Sequence, residues 1–438
     1  MISIIMPLYN ADAFLEESLQ SIANQTYKDY ELICVDDASD DTTQEIIKNA
    51  QIKDDRIKVF RNEKREGAAY SRNRGLNYAQ GDYISFLDGD DIFEEKMLEE
   101  AYKCAVENDL DIVVFEYLQF TSEKIYQEKS VNRSNQFKKK YCQTPFSMDT
   151  LGAGEFCMWN SAPWNKLFRR QFIVENKLEF QSLACSNDTY FVETAFLLAK
   201  RIMNLNDNTA LVHERTHNTS SRISFDRDPM CSYYAWKKIF HEISQRQLIG
   251  TYYEHCYLKC ILGFLWELRR TKKEETQKMF YDFLKNEGLS TLKDGNEYYA
   301  LLDDRIKRIY DKFGENEYDS GWFNNENQIT YLVLEHENKF KELFNQYENV
   351  LIWGAGDYGR GLLEGLMQLG IKIYGIVDSN VSLEGRKVGN YTIWNKEDIN
   401  FKDIDLVIVS PRGAFFDISQ ELKKYSTTVV DLCSFLES

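Results

Sequence analysis

No stretch of about eighteen apolar residues occurs in the 438-residue chain, so no segment reads as a helix that spans a bilayer. Positive charge is scarce: 53 lysines and arginines face 70 aspartates and glutamates, for a formal net charge of −17. A surface of that sign repels nucleic acid and does not adhere to anionic lipid by charge alone. Nine cysteines lie scattered without metal-type spacing, and an odd total fits reduced thiols in a cytoplasm. Cys256 and Cys260, with His255 beside them, sit at helical spacing among Tyr253, Leu265 and Trp266. They read as a packed helix face rather than as metal ligands. The first strand is expected from Ile2, which leaves no room for a secretory leader. A cytoplasmic protein is therefore expected, peripheral at the inner membrane face if its acceptor is carried by lipid.

What the chain does have is an ordinary globular composition, 43% hydrophobic, over a length that suits two or three domains. Its most informative stretch is GDYISFLDGDD, residues 81–91. Tyr83 to Leu87 reads as a buried strand between turn-forming Gly81-Asp82 and Gly89, and it ends in Asp88, Asp90 and Asp91. Acids at the C-terminal end of such a strand lie on the rim where open α/β sheets bind ligands. Two carboxylates about one glycine suit a hard divalent cation that bridges to phosphate oxygens, whereas the plain alternative is a polar turn.

Three further segments share the pattern. ISIIMPLYN opens the chain as a strand that Pro7 is expected to stop. ELICVDDASDDTT (31–43) runs from strand to Asp36 and Asp37, and then to a capped helix expected to reach about Ala50. REGAAYSRNRG (65–75) puts Arg72, Asn73 and Arg74 on a short helix. Three strand ends and a basic helix thus converge on one edge of a parallel sheet. Carboxylates there can grip a base, a ribose and a metal, while arginine can meet a diphosphate.

In order and spacing these segments resemble family 2 glycosyltransferases of the GT-A fold, found among bacterial capsule, wall-polymer and lipopolysaccharide enzymes. The resemblance rests on IIMPLYN, VDDASDDT, GAAYSRNRG and FLDGDD, and extends through PWNKLFRRQFI (163–173) and CSNDTYFVETAF (185–196) to about residue 225. It implies an inverting transfer from a nucleotide-sugar, with UDP the expected nucleotide. The donor's base would lie against Asp37 and the loop of Pro7, Tyr9 and Asn10. Asp88 would take the ribose side, and Arg72 and Arg215 would meet the diphosphate. Asp90, with Asp91 or His217, would hold Mn²⁺ or Mg²⁺ as a Lewis acid. Asp188 would be the base that deprotonates an acceptor hydroxyl, on a glycan or lipid-linked glycan. Where the family usually has a Glu-Asp pair, this chain has Asn187-Asp188, so Asp188 lacks a like-charged sequence neighbour to raise its pKa. In VHERTHNTSSRIS (212–224), His213 reads as an exposed strand edge, and His217 as a diphosphate or metal contact.

Beyond residue 225 the pattern changes. Tyr233, Trp236, Ile239, Phe240 and Ile243 mark an amphipathic helix. Further helices are expected over 251–286 and 297–313, with loops at Gly288 and 316–327. This aromatic region (226–345) could pack internally, form a homodimer or touch acceptor, and internal packing is the default. From 346 to 438 a new unit begins, with the strand Val350–Trp353 and then Gly354, Gly356 and Gly359 as G-x-G-x-x-G. Asp378 ends a strand (372–378) where a ribose-binding carboxylate belongs, and strands at 405–410 and 427–430 bring the total to about four. This unit resembles small Rossmann-like nucleotide-binding domains attached to bacterial glycan enzymes. A second nucleotide site and a purely structural turn are equally open for its glycines. The expected fold class is therefore α/β: a GT-A transferase domain, a helical middle region and a small Rossmann-like domain. Two other functions stay open, an NAD-dependent sugar-nucleotide enzyme and a non-catalytic scaffold of a polysaccharide-synthesis complex. Against the first, no Tyr-x-x-x-Lys pair follows the glycine motif at a suitable distance. Against the second, Asp88, Asp90 and Asp188 are retained.

Overall fold

The computed structural model describes residues 1–120, 141–151, 156, 159–205, 212–215 and 228–248, single positions and short runs between 252 and 267, then 273–288, 329–330, 332–334, 336–410, 415–432 and 435. Contacts divide the chain into two units, Met1–Asn316 and Glu317–Ser438.

The first unit is built on a seven-stranded sheet of order β3-β2-β1-β4-β8-β6-β9. Its strands are β1 (Ile2–Leu8), β2 (Tyr30–Asp36), β3 (Ile57–Arg61), β4 (Tyr83–Phe86), β6 (Ile112–Val114), β8 (Lys166–Arg169) and β9 (Ile202–Asn204). Strand β1 is parallel to both β2 and β4, whereas β8 runs antiparallel to β4 and β6. The chain steps from β1 outward to β2 and β3, then returns across β1 to β4. That reversal makes β1 a topological switch point, and the crevice beyond its C-terminal end is the natural ligand site. A smaller sheet of order β5-β10-β7 joins Ile92–Phe93, Val212–Arg215 and Tyr117–Phe120.

Pro7 does not stop β1, which runs on to Leu8. Alternate residues of a parallel strand bond to opposite neighbours: the Ile5 carbonyl accepts from Leu87 on the β4 side, and the Leu8 carbonyl from Asp37 on the β2 side. Pro7 has the parity of Ile5 and faces β4, so its missing N–H ends that ladder after the Leu87 bond while β1 continues against β2 to Leu8.

One sheet face is covered by helices α1 (Asp12–Ala23) and α4 (Met97–Glu107), whose Leu15, Ile22, Leu98 and Ala101 share a core with Ile4, Met6 and Leu32. The helix after Asp37, α2, spans Thr43–Lys53 rather than ending near Ala50. On the opposite face lies α3 (Ala68–Tyr78), which approaches β1 closely: a Cβ on Gly75 would come within 2.5 Å of the Ile5 side chain. Beside it, α6 (Thr189–Leu198) follows the short α5 (Arg170–Glu175) and docks through aromatic rings. Phe86 of β4 meets Phe180 at 4.8 Å and Phe191 at 5.4 Å between centroids, and Phe180 stacks on Phe191 at 4.2 Å. Such contacts fix the start of α6 beside the end of β4.

Helix α7 (Cys231–Gln245) buries the expected Tyr233, Trp236, Ile239, Phe240 and Ile243. The helix expected over 251–286 is not continuous. Lys273 is extended, and a new helix α8 (Glu274–Phe283) starts after it and ends in a π turn, Leu284–Gly288. The expected helix at 297–313 and loop at 316–327 lie outside the described residues.

The second unit carries a six-stranded sheet of order β13-β14-β12-β11-β15-β16. These strands are β11 (Val350–Trp353), β12 (Gly375–Asp378), β13 (Lys387–Val388), β14 (Tyr391–Asn395), β15 (Leu406–Val409) and β16 (Thr428–Asp431). All pair in parallel except β13. Six strands rather than about four are present, because β13 and β14 are short and amphiphilic and give little periodic signal. Helices α9 (Glu337–Phe344), α10 (Asp357–Gln368) and α11 (Phe415–Leu422) complete the unit. The glycines sit in the turn from β11 to α10. Gly354 holds φ at +109°, and a Cβ on Gly359 would lie 1.8 Å from the Gly354 carbonyl oxygen, whereas one on Gly356 would meet nothing within 4 Å. Gly359→Ala should therefore destabilise the second unit by about 3 kcal/mol or more through overpacking, and Gly356→Ala by less than about 1 kcal/mol. Thermal unfolding of the two variants beside the wild type checks the contrast.

Candidate active site

Asp36 and Asp37 stand at the end of β2 and Asp88 follows β4, whereas β1 runs out through Leu8 to Tyr9 and Asn10; the structure shows how each acid is held. Asp36 is fully buried, accepts from the Ser39 N–H at 3.0 Å and pairs with Arg61. Asp37 is also buried, and its carboxylate takes the Asn62 side-chain amide at 2.6 Å and the N–H groups of Glu66 and Gly67 at 2.9 and 2.7 Å. It therefore pins the 62–67 loop. Asn10, with φ +48°, is bonded reciprocally to Asp40, and its N–H donates to the Ser39 hydroxyl. Tyr9 has a partly exposed ring, and the Arg65 guanidinium lies 3.9 Å from its centroid.

Arg72 is buried and reaches in two directions. It donates to Asp88 at 2.9 Å and to the Asn187 side-chain oxygen at 3.1 Å, with its guanidinium 5.3 Å from the Phe180 ring. The neighbouring Asn73 clasps Phe180, its amide donating to the carbonyl at 2.8 Å and its oxygen accepting the N–H at 2.7 Å. Helix α3 thus ties the end of β4 to the loop that carries Asp188, the residue preceding α6.

Asp188 has its carboxyl raised above the ordinary range, mainly by burial. The charges of Arg72 and Lys166 oppose the rise, and that of Asp88 adds to it. A like charge is thus supplied in space although the sequence neighbour is Asn187. Lys166 is completely buried, and its ammonium donates to four oxygens: the Asn160 carbonyl and side chain, the Ala162 carbonyl and Asn165. Burial drives its pKa well below the lysine range, and the acceptors around it favour the charged form.

At the other rim, the 88–91 turn is held from both sides. The Ser18 hydroxyl bonds to the carbonyls of Gly89 and Asp91 at 3.0 and 2.6 Å. Asp91 is buried and accepts the Arg215 N–H at 2.8 Å, and its carboxyl is pushed up to about 9 by burial and by the charges of Asp88 and Asp90. The Arg215 guanidinium donates to the Asp90 carbonyl and to Glu17, and lies 4.3 Å from the Phe14 ring. It holds the turn from behind, a position the sequence alone does not reveal. His213 pairs with Glu94 at 2.7 Å along the strand edge. His217 lies outside the described residues. Among the described residues no group of three or more His, Cys, Asp or Glu side chains is set to hold a metal ion. His255, Cys256 and Cys260 are buried in the helical region.

In the second unit Asp378 braces the glycine turn: its carboxylate accepts the N–H groups of Ala355 at 2.6 Å and Asn380 at 2.8 Å. Gly354 donates its N–H to Val377, and the Ser410 hydroxyl bonds the Gly354 carbonyl.

Residues 3–163 match the model of Glycosyl transferase family 2. The glycosyltransferase GlyG of Streptococcus pneumoniae is 31% identical over 237 residues, which are 52% of this chain and 74% of that protein. The chain belongs to glycosyltransferase family 2. A poly(ribitol-phosphate) beta-glucosyltransferase of Bacillus spizizenii is 31% identical over 205 residues, 46% of this chain and 30% of that protein. Among solved structures, residues 1–349 of S. aureus TarS in complex with UDP-GlcNAc align with TM-score 0.56 at 20% identity, over 71% of this chain and 86% of that one. This likeness shows the fold, an α/β GT-A architecture to which the second unit is added. Residues 346–429 match a separate model, C2185-like, N-terminal.

The motifs did not single out Phe180, Lys166 and Glu193, whose contacts form only through the fold. Glu193, on α6, is fully buried and bonds both Ser161 and Lys259, the latter at 2.7 Å. Glu193→Ala would leave the Lys259 charge without its partner and should cost about 3 kcal/mol. A fall in the denaturant midpoint, partly reversed by adding Lys259→Met, is the expected result.

Proposed function

We propose that the chain is an inverting glycosyltransferase that moves a sugar from a nucleotide-diphosphate donor, UDP-linked, to a hydroxyl of a glycan acceptor in cell-surface polymer synthesis. The observation that carries this reading is Arg72, whose one guanidinium joins Asp88 at the donor rim to the loop of Asp188. One side chain would thereby fix the spacing between the donor rim and the base, which displacement at an anomeric carbon requires. Asp188 accepts the acceptor proton while the new bond forms, and a carboxylate pKa raised by burial makes it a better base at neutral pH. The sugar passes through a state of oxocarbenium character and leaves inverted.

Asp90 and Asp91 lie on a turn whose oxygen donors suit Mn²⁺ or Mg²⁺, with His217 a further ligand, and the crowding of Asp88, Asp90 and Asp91 is what a divalent cation relieves. When bound, the cation supplies charge neutralisation for the departing diphosphate. Tyr9, Asn10 and Asp37 form the base side. Arg215 acts on the diphosphate through the turn it holds. The acceptor is a lipid-linked or polymer glycan met at the inner membrane face. No helix among the described residues is long and apolar enough to cross a membrane. The helical region could serve a homodimer.

The second unit we read as Rossmann-like from its parallel β12-β11-β15-β16 order, serving ligand binding or assembly. Both oxygens of Asp378 brace backbone N–H groups, which favours the structural role for its glycine turn over an NAD ribose contact.

Calorimetric titration with UDP, with and without Mn²⁺, tests the donor site. Wild type should bind tightly only with the metal, and Asp90→Ala should lose that dependence. Equal binding without metal or in the variant would sink the metal-assisted reading. Asp188→Asn should cut transfer by about a hundredfold to ten-thousandfold with donor affinity little changed. The base works deprotonated, so activity rises with pH through its folded pKa. Around Asp188 the charged groups are Arg72 and Lys166, which lower that pKa, and Asp88, which raises it. The acidic limb of kcat/KM should therefore lie above the ordinary aspartate range, and Arg72→Met should move it to still higher pH.

A further inference from the structure

Cys185 and Cys231 lie 46 residues apart in sequence and side by side in the fold. The Cys185 N–H donates to the Cys231 sulfur at 3.4 Å, and the two thiols are hydrogen-bonded to each other. The Cys185 sulfur also reaches the Asp228 carbonyl at 3.7 Å. Both residues are buried, and neither is in a disulfide. Cys231 opens the fifteen-residue helix α7, whose positive dipole end favours a thiolate. The S–H and N–H of Cys185 hold its pKa below the ordinary thiol value, against burial and the Asp228 charge. Burial instead pushes the Cys34 and Cys104 thiols up to about 12 and about 11, and that of Cys260 well above its ordinary value. Since the thiolate is the reactive form, Cys231 is set apart from these three.

The pair also has a telling position. Cys185 stands three residues before Asp188 in the loop that precedes α6. Ser186 turns that loop with φ at +52°, and Asn187 is held by Arg72 of α3. The loop is therefore tied to α3 at Asn187 and to α7 at Cys185. Helix α7 grips the neighbouring segments as well. Its Glu242 accepts from the Tyr190 hydroxyl at 3.1 Å, and its Lys238 pairs with Glu179 at 3.2 Å.

We propose that Cys185 and Cys231 form a redox-modification site, at which hydrogen peroxide converts the two thiols to a disulfide and shifts the loop of Asp188. The Cys231 sulfur attacks a peroxide oxygen and the O–O bond breaks. The departing hydroxide leaves as water with the thiol proton, and a sulfenic acid remains. The Cys185 sulfur then attacks the Cys231 sulfur, the S–O bond breaks, and a second water carries off the other thiol proton. Two thiols and one peroxide thus give one disulfide and two waters, with two electrons passing from sulfur to oxygen. A small neutral oxidant suits this pair, because Cys185 is only 8% exposed and Cys231 fully buried. A dithiol reverses the bond by exchange. Disulfide sulfurs stand about 2 Å apart, closer than hydrogen-bonded thiols, so the bond draws Cys185 and the start of α7 together. The site itself does not depend on the donor reading above, but its effect on transfer does: a base displaced by about 1 Å slows reaction by about a hundredfold.

The full chain, treated with hydrogen peroxide and then denatured, alkylated and digested without reduction, tests the site by mass spectrometry. The expected product is a Cys185–Cys231 cross-linked peptide that dithiothreitol reverses, with Cys34 and Cys260 still alkylated. Absence of the cross-link, or oxidation that stops at sulfinic acid on Cys231, would overturn the proposal. With Mn²⁺ present, the oxidised protein should release UDP from UDP-GlcNAc, with water in the acceptor's place, at least about tenfold more slowly than the reduced protein. Its affinity for UDP should change little. Cys185→Ser and Cys231→Ser, made separately, should each abolish the response to peroxide. Unchanged UDP release by cross-linked protein would overturn the shift of the loop. A reduced protein that neither binds nor releases UDP would count against the donor reading alone, and the cross-link would still decide the site.

Discussion

A sheet that gathers acids where β2 and β4 end can close only if donors reach those acids from the surrounding loops and helices. In this chain the constraint is severe, because acids outnumber bases by seventeen. It is met locally. Arg61 pairs with Asp36, three N–H donors hold Asp37, Arg72 pairs with Asp88, and the Arg215 backbone meets Asp91. Each of these bonds also fixes a loop, so the same contacts that offset repulsion between acids shape the rim of the crevice. At the 88–91 turn, burial together with the charges of Asp88 and Asp90 still pushes the Asp91 carboxyl up.

Arg72 is the centre of this arrangement because it belongs to neither of the elements it joins. It reaches from α3, which Gly75 brings close to β1, to the end of β4 and to the loop before α6. The Phe86, Phe180 and Phe191 rings then set α6 against the sheet, and Asn73 closes the loop onto α3. Asp188 owes its position to packing and its raised pKa to the burial that packing brings. Asn187 matters here: as a neutral acceptor it takes an Arg72 N–H without adding a charge beside the base.

The glycine turn of the second unit illustrates how one motif can serve geometry first. Gly359 is required because its backbone nearly touches the Gly354 carbonyl, and Asp378 is held by two N–H groups of adjoining turns. A spacing argument placed Asp378 correctly at the end of β12, opposite the glycines. It could not tell that the carboxylate would accept two N–H groups of the protein's own backbone.

The strand-then-acid segments and the basic helix were legible because local pattern dictates them. Apolar runs become buried parallel strands, and Asp or Gly after them must form the rim. Shorter elements such as β13 and β14 were missed, since two to five residues of mixed character carry no period, and Lys273 broke a helix that apolar spacing alone had continued. Pro7 sat inside a strand because its N–H position faces β4 while the continuing ladder is the one with β2, a fact of register. By itself, then, the sequence determined the family, the central parallel strands and the set of acids at their ends, all properties of local pattern. Only the tertiary structure decided what those acids touch: that Asp37 pins a loop, that Arg215 braces a turn, that Arg72 couples Asp88 to the Asp188 loop. Pairings between residues as far apart as 72 and 187 depend on how helices pack across a sheet, which no local stretch of sequence encodes.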